Sequence, residues 1–235
     1  MKPFGYVILI ALFSLGPLLF LAKYLPGQSD ETIDEELKLL GAVILEEPVS
    51  LDLDGFVDHE RRPFGQDQFA GKWSFIYFGF TRCPDFCPLT LSILAKAESA
   101  LLAEGRKIDA VPFQGLLVTI DPTRDKPENL GPYVKTFSER FSGVWSADGV
   151  DSLARKVDVI FEQVEMDNGS YMFDHTSNVV IVGPRARYIG YIKRPHSAEQ
   201  IAQIFELLGK KNSKINNSRT AFISSGCLER ARFSI

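Results

Sequence analysis

Eight residues about a third of the way along the chain limit its fold more than any others. Trp73 to Phe80, WSFIYFGF, is apolar almost without a break and rich in aromatic side chains. A segment this short and this apolar reads as a strand buried on both faces, the kind found inside a parallel sheet. It runs straight into TRCPDFCP, residues 81–88, and then into a stretch with helical spacing. From Pro88 to Glu104 the apolar residues Leu89, Ile93, Leu94, Ala97 and Leu101 share one face, Pro88 suits a first helical position, and Gly105 is a stop. A buried strand, a tight loop and a helix in that order are the opening of a parallel α/β unit.

The pattern continues. GLLVTI, Gly115 to Ile120, is a second buried strand ending in Asp121-Pro122, and Asn129–Phe141 and Val150–Val164 both have helical spacing. Asn178–Val182 and Arg187–Lys193 read as strands joined at Gly183-Pro184, a hairpin. Ser197–Leu208 closes the series as a helix, with Ser197 placed to cap it and Gln200 three residues on. Helices between parallel strands, then a hairpin and a final helix, predict a three-layer α/β sandwich: a thioredoxin-like arrangement with extra elements.

With 235 residues there is room for one such domain and appendages. Pro3 to Ala22 carries no charge. As a helix it would reach about 30 Å, the thickness of a bilayer core. Residues 1–23 are therefore expected to form a transmembrane signal anchor, with the acidic DETIDEE run placing the rest of the chain across the membrane from the amino terminus. No small-residue cleavage site follows Ala22, and no Cys stands there to accept a lipid. The expected organisation is thus an anchor, an acidic spacer over residues 24–45, a domain over 46–210, and a flexible basic tail over 211–235 that holds Cys227. A net charge of −4 gives no electrostatic reason to expect nucleic-acid binding.

The chemistry concentrates at two places. Cys83 and Cys87 lie between strand and helix, at the carboxyl end of a strand, where α/β sheets collect functional groups. Cys87 at the helix start would have its thiolate favoured by unpaired N–H groups and the helix dipole. Asp85 fits either a turn or a polar contact beside the thiols. A structural disulfide would use the same pair, since the far side of a membrane permits oxidation. Their three-residue gap is one wider than that of ordinary thioredoxin-like redox sites. The second place is YMFDHTS, Tyr171 to Ser177, expected as a loop at the sheet rim just before the hairpin. There His175, 88 residues after Cys87, could reach the cysteines. His59 and His196 read as ordinary polar residues and Met172 as a core residue. Two thiolates and an imidazole are a soft three-donor set that suits copper, whereas structural zinc normally takes four protein ligands.

Three segments carry a resemblance: GKWSFIYFGFTRCPDFCP from Gly71, TIDPTRDKPENLGPYVKTF from Thr119, and YMFDHTSNVVIVGP from Tyr171. In these the chain resembles the Sco (SenC-type) family of membrane-anchored, thioredoxin-fold copper chaperones. The resemblance implies one copper ion per chain, bound by Cys83, Cys87 and His175. It also implies a redox-active Cys83–Cys87 disulfide and a role in assembling the CuA centre of cytochrome c oxidase. Expected partners are the oxidase's copper-bearing subunit or another copper chaperone. The expected setting is the bacterial inner membrane with the domain in the periplasm, the mitochondrial inner membrane being the alternative. The chain is then a metal carrier and not an enzyme. The rival reading is a membrane-tethered thiol–disulfide oxidoreductase that reduces a partner's cysteines. Peroxide reduction would need Thr81 and Arg82 to converge on a cysteine. Asp121, Arg124 and Asp125 follow a strand end near the site and read equally well as a turn held by Asp121.

Overall fold

The computed structural model describes residues 30–103 and 112–214. The expected anchor, Cys227 and most of the expected tail lie outside the described residues. The chain divides into two units, residues 1–35 and 36–235. A helix, α1 (Asp30–Leu39), spans that division. In the second unit follow β1 (Ala42–Ser50), β2 (Val57–Asp58), β3 (Trp73–Gly79), α2 (Phe86–Ala103), β4 (Phe113–Thr119), α3 (Pro127–Lys135) and β5 (Ser142–Trp145). After these come α4 (Val150–Lys156), β6 (Phe161–Glu165), β7 (Tyr171–His175), β8 (Val179–Gly183) and β9 (Arg187–Ile192), then helix α5 over 198–214.

Seven strands form one mixed sheet in the order β1-β9-β8-β3-β4-β5-β2. β3, β4 and β5 are parallel, and β8 joins β3 antiparallel through Ser74↔Val182 to Tyr77↔Val179. All seven residues of β3 and all five of β8 are buried, so both faces of the sheet centre are covered. This is the three-layer arrangement that an unbroken apolar strand demands.

One face can be followed by register. Phe75, Tyr77 and Gly79 alternate onto it, and the pairs Phe75↔Gly115, Tyr77↔Leu117 and Leu117↔Gly143 extend it across three strands. Phe75 stacks on Phe113 at 4.7 Å, and both meet Phe205 of α5. A Cβ at Gly143 would strike Leu130 of α3, and one at Gly79 would strike Cys87 of α2. Helices α2, α3 and α5 therefore share this face. The β3-α2-β4 and β4-α3-β5 connections advance in one direction, and right-handed crossovers then place both helices together. Among the described residues α2 is long and apolar enough to cross a membrane, yet eight of its side chains are buried in the fold, as befits a core helix.

The structure corrects the sequence reading at several elements. Residues 42–45 of the expected spacer are the first part of β1 (Ala42–Ser50), paired to β9 from Ala42↔Ile192 to Ser50↔Arg187, and α1 precedes it. The helix expected from Pro88 starts at Phe86. The helix expected over 129–141 is α3 alone, and the four-residue β5 behind it was too short to leave a periodic signal. The helix expected over 150–164 ends at Lys156. Asp158, held at φ 58° with its carboxylate accepting from Tyr188 Oη at 2.9 Å, turns the chain into β6. At the far end α5 runs to 214, past the expected limit of 210. The cap of α5 is as expected: Gln200 N donates to Ser197 Oγ and Ser197 N to Gln200 Oε1, each at 3.1 Å.

Candidate metal centre

β3 delivers the chain to the sheet rim, where Cys83 N–H closes a turn on Phe80 O at 3.2 Å before α2 begins. Cys87, in the first turn of α2, is fully buried, while Cys83 in the loop is half-exposed. Gly79 makes room for the inner sulfur. A Cβ there would lie 2.7 Å from Cys87 Sγ and 3.2 Å from the Tyr77 ring. A lone Gly in an aromatic strand is the sequence signal of such a close approach by another group.

His175 comes from a strand rather than the expected loop. β6 and β7 form a separate two-stranded ribbon, with Phe161↔His175 and Glu165↔Tyr171 at its ends. At the last residue of β7 the ring of His175 meets the edges of Tyr77 at 5.7 Å and Phe80 at 6.3 Å. Its Nδ1 lies 3.0 Å from the carbonyl of Thr176, which can only accept, so Nδ1 carries the proton and Nε2 presents a lone pair. That Nε2 is 4.0 Å from Cys87 Sγ. The ligating atoms of Cys83, Cys87 and His175 all lie within 4.8 Å of one another. An ion held ~2.3 Å from sulfur and ~2.0 Å from nitrogen in a trigonal plane has donors about 4 Å apart. The three groups stand within a small adjustment of that spacing.

Electrostatics divide the sulfurs. Cys83 is pulled well below the ordinary thiol range, first by a hydrogen bond from Cys87 and then, against its own burial, by backbone N–H groups of Cys87 and Asp85. Cys87 is pushed up because it donates to Cys83 and is buried. The thiolate expected at Cys87 therefore belongs to Cys83. The first-turn N–H groups point outward to the loop sulfur, while Cys87 points into the core. Burial, the largest cause, pushes the Tyr77 phenol up to about 12, leaving it a neutral wall of the site.

A cleft of about 390 Å³ opens over Cys83 and His175, lined also by Phe86, Met172, Phe173 and Arg194, with Cys87 buried behind Cys83. Met172 is thus not the core residue its pattern suggested; it is half-buried at the cleft wall. Asp85 is exposed, and its backbone carbonyl accepts from Leu89 N–H at the start of α2. His59 Nδ1 accepts from Gly143 N–H and His196 Nε2 donates to Ile192 O, both away from the cysteines. Thr81 Oγ1 is engaged by Asp125 and Arg82 is exposed, so they do not converge on a sulfur as peroxide chemistry would require. The pairs Thr81–Asp125 and Arg124–Tyr171 connect the site to the 121–125 loop, contacts the sequence did not announce.

Comparison with known proteins agrees with this geometry. The family model described as SCO1/SenC matches residues 55–208. A SCO2-like protein of Rickettsia prowazekii is 33% identical over 153 residues, 64% of this chain and 72% of that protein. The mitochondrial SCO1 homolog of Mus musculus is 29% identical over 204 residues, 85% of this chain and 69% of the mouse protein. Among solved structures, yeast Sco1 with copper bound superposes with a TM-score of 0.56 at 26% identity, covering 68% of this chain and 86% of that one.

Proposed function

The chain belongs to the SCO1/SenC family, and from that premise we propose that it is a copper metallochaperone whose ligands are Cys83, Cys87 and His175. One observation carries the reading: two thiols and an imidazole nitrogen with its lone pair free lie within 4.8 Å of one another, Cys83 and His175 lining an open cleft and Cys87 buried behind them. The ion is cargo. Cys83 is already disposed to be thiolate, Cys87 gives up its proton as the ion arrives, and Nε2 of His175 completes a three-donor plane. Three donors leave a position open toward the cleft, through which a partner's thiol adds and draws the ion away by ligand exchange. Oxidation of the pair to a Cys83–Cys87 disulfide releases two electrons to an acceptor and removes two donors, so retention depends on redox state. We place the chain at a membrane by a helix over residues 1–23, with its domain in the periplasm. We assign it to CuA assembly in cytochrome c oxidase.

Metal analysis of the purified full chain, reduced and loaded with copper, tests the ligand set. The chain should hold one ion, and Cys83→Ser, Cys87→Ser and His175→Ala should each sharply reduce retention. Stoichiometric copper in His175→Ala would falsify the assignment. A second reading, thiol–disulfide exchange, draws on the lowered pKa and exposure of Cys83 beside the raised, buried Cys87. That pairing suits attack by the outer sulfur and resolution by the inner one, with two electrons passing to the partner's disulfide. Rapid disulfide reduction by the copper-free chain, unaffected by His175→Ala, would favour it.

A further inference from the structure

The two halves of the metal site come from distant parts of the chain, and their backbones are tied only beyond the site, where Val179, four residues after His175, pairs with Tyr77 of β3. The cysteine loop hangs from the end of β3. His175 ends the β6–β7 ribbon, which is not hydrogen-bonded into the main sheet. Between them lies the loop of residues 121–125, DPTRD, which contributes no ligand.

That loop grips both halves. On one side Asp125, fully buried, accepts from Thr81 N–H at 2.8 Å and from the Thr81 hydroxyl, and from Thr119 Oγ1 at 2.9 Å. Thr81 opens the cysteine loop, two residues before Cys83. On the other side the Arg124 guanidinium lies 3.6 Å over the Tyr171 ring and donates through Nη1 to Tyr171 O at 2.9 Å. Tyr171 Oη in turn donates to Asp121 Oδ1 at 3.1 Å, and Asp121 is ion-paired with Arg124. Tyr171 is the first residue of the strand whose last is His175. The loop is itself held: Asp125 N–H donates to Asp121 O at 2.9 Å, and Trp145 Nε1 donates to Pro122 O at 3.2 Å.

We propose that the 121–125 loop is a positioning bracket, in which Asp125 fixes the cysteine loop and Arg124, with Asp121 and Tyr171, fixes the strand that ends in His175. The proposal rests on the reading of Cys83, Cys87 and His175 as copper ligands. Arg124 touches no ligand and acts through His175. Its loss therefore removes the imidazole from the ion while leaving the two sulfurs, an effect distinct from general loosening.

A two-background experiment on the full chain separates these effects. The chain is loaded with one equivalent of Cu(I), release to a chromophoric Cu(I) chelator is timed, and nitrogen coordination is read by X-ray absorption. Arg124→Gln should release copper about 10-fold faster, the scale of losing a group that orients a metal-bound histidine. It should also lose the nitrogen contribution. In the His175→Ala background the same substitution should change the rate less than about twofold, as expected when two changes act through one group. A wild-type rate and nitrogen signal in Arg124→Gln overturns the bracket, as does equal acceleration in both backgrounds. Tyr171→Phe, which keeps the stacked ring and loses only the bond to Asp121, serves the same cycle if Arg124→Gln does not fold. It should show a smaller change in the same direction, and identity with wild type overturns the bracket. In the metal-free chain Arg124→Gln should shift the His175 ring nitrogen resonances, and unmoved resonances again overturn it. This readout stands even if the wild-type chain takes up no copper, a result that would strike the ligand reading instead.

Discussion

Gly79 shows how much of the site depends on an atom that is absent. The Cys87 sulfur occupies the space where a β-carbon would stand, with the Tyr77 ring closing the other side. Gly79→Ala should force the sulfur or the ring aside, at an overpacking cost of roughly 1–3 kcal/mol. Thermal unfolding would register the loss, and metal analysis should show reduced copper retention with both cysteines intact. Unchanged retention would mean that the sulfur position is not critical. The two cysteines and His175 were legible in the sequence because thiols and imidazole are scarce and chemically specific. Arg124 and Tyr171 were not. A cation stacked on an aromatic ring 47 residues away leaves no local pattern, and DPTRD reads as well for a turn, which it also is: Asp121 Oδ1 accepts from Arg124 N–H at 3.3 Å.

At the level of the element, legibility followed burial. β3, β4 and β8 are legible to within about two residues because nearly all of their side chains are buried and apolar, and β9 because buried residues alternate with more exposed ones along it. β6 was read as helix because FEQVE is mostly exposed, so its side chains carry no alternation between a dry and a wet face. β7 is half-buried along most of YMFDH and likewise has no alternation of a dry and a wet face, so the histidine segment reads as a loop. Helix α5 was found through its cap, a local device that sequence shows directly. Ser197→Ala removes the acceptor for Gln200 N–H and should cost about 1 kcal/mol. In a chain of this size that lowers the thermal midpoint by roughly 2–4 °C. A midpoint unchanged in calorimetry would show that the first turn of α5 is held by packing alone.

For the whole molecule, the sheet is longer than the sequence suggested. The first four residues of β1, 42–45, read as spacer because they follow the acidic run, yet the strand covers the edge of β9. A chain beginning at residue 51 would leave that edge open, and an unpaired edge recruits other chains. Such a chain should appear as aggregates in size-exclusion chromatography, whereas one beginning at residue 36 should remain monomeric. Monomeric behaviour of both would show that the edge is protected by something other than β1.

The unequal burial of the two sulfurs has a consequence for traffic in and out of the cleft. Cys83 lies at the mouth and Cys87 behind it, walled by Gly79 and Tyr77. On the proposed reading an acceptor arriving from solvent displaces the outer sulfur first, and the bond to the inner one breaks last. The depth of a side chain then sets a sequence of events, and a carrier built in this way hands over its load without ever leaving it ungripped.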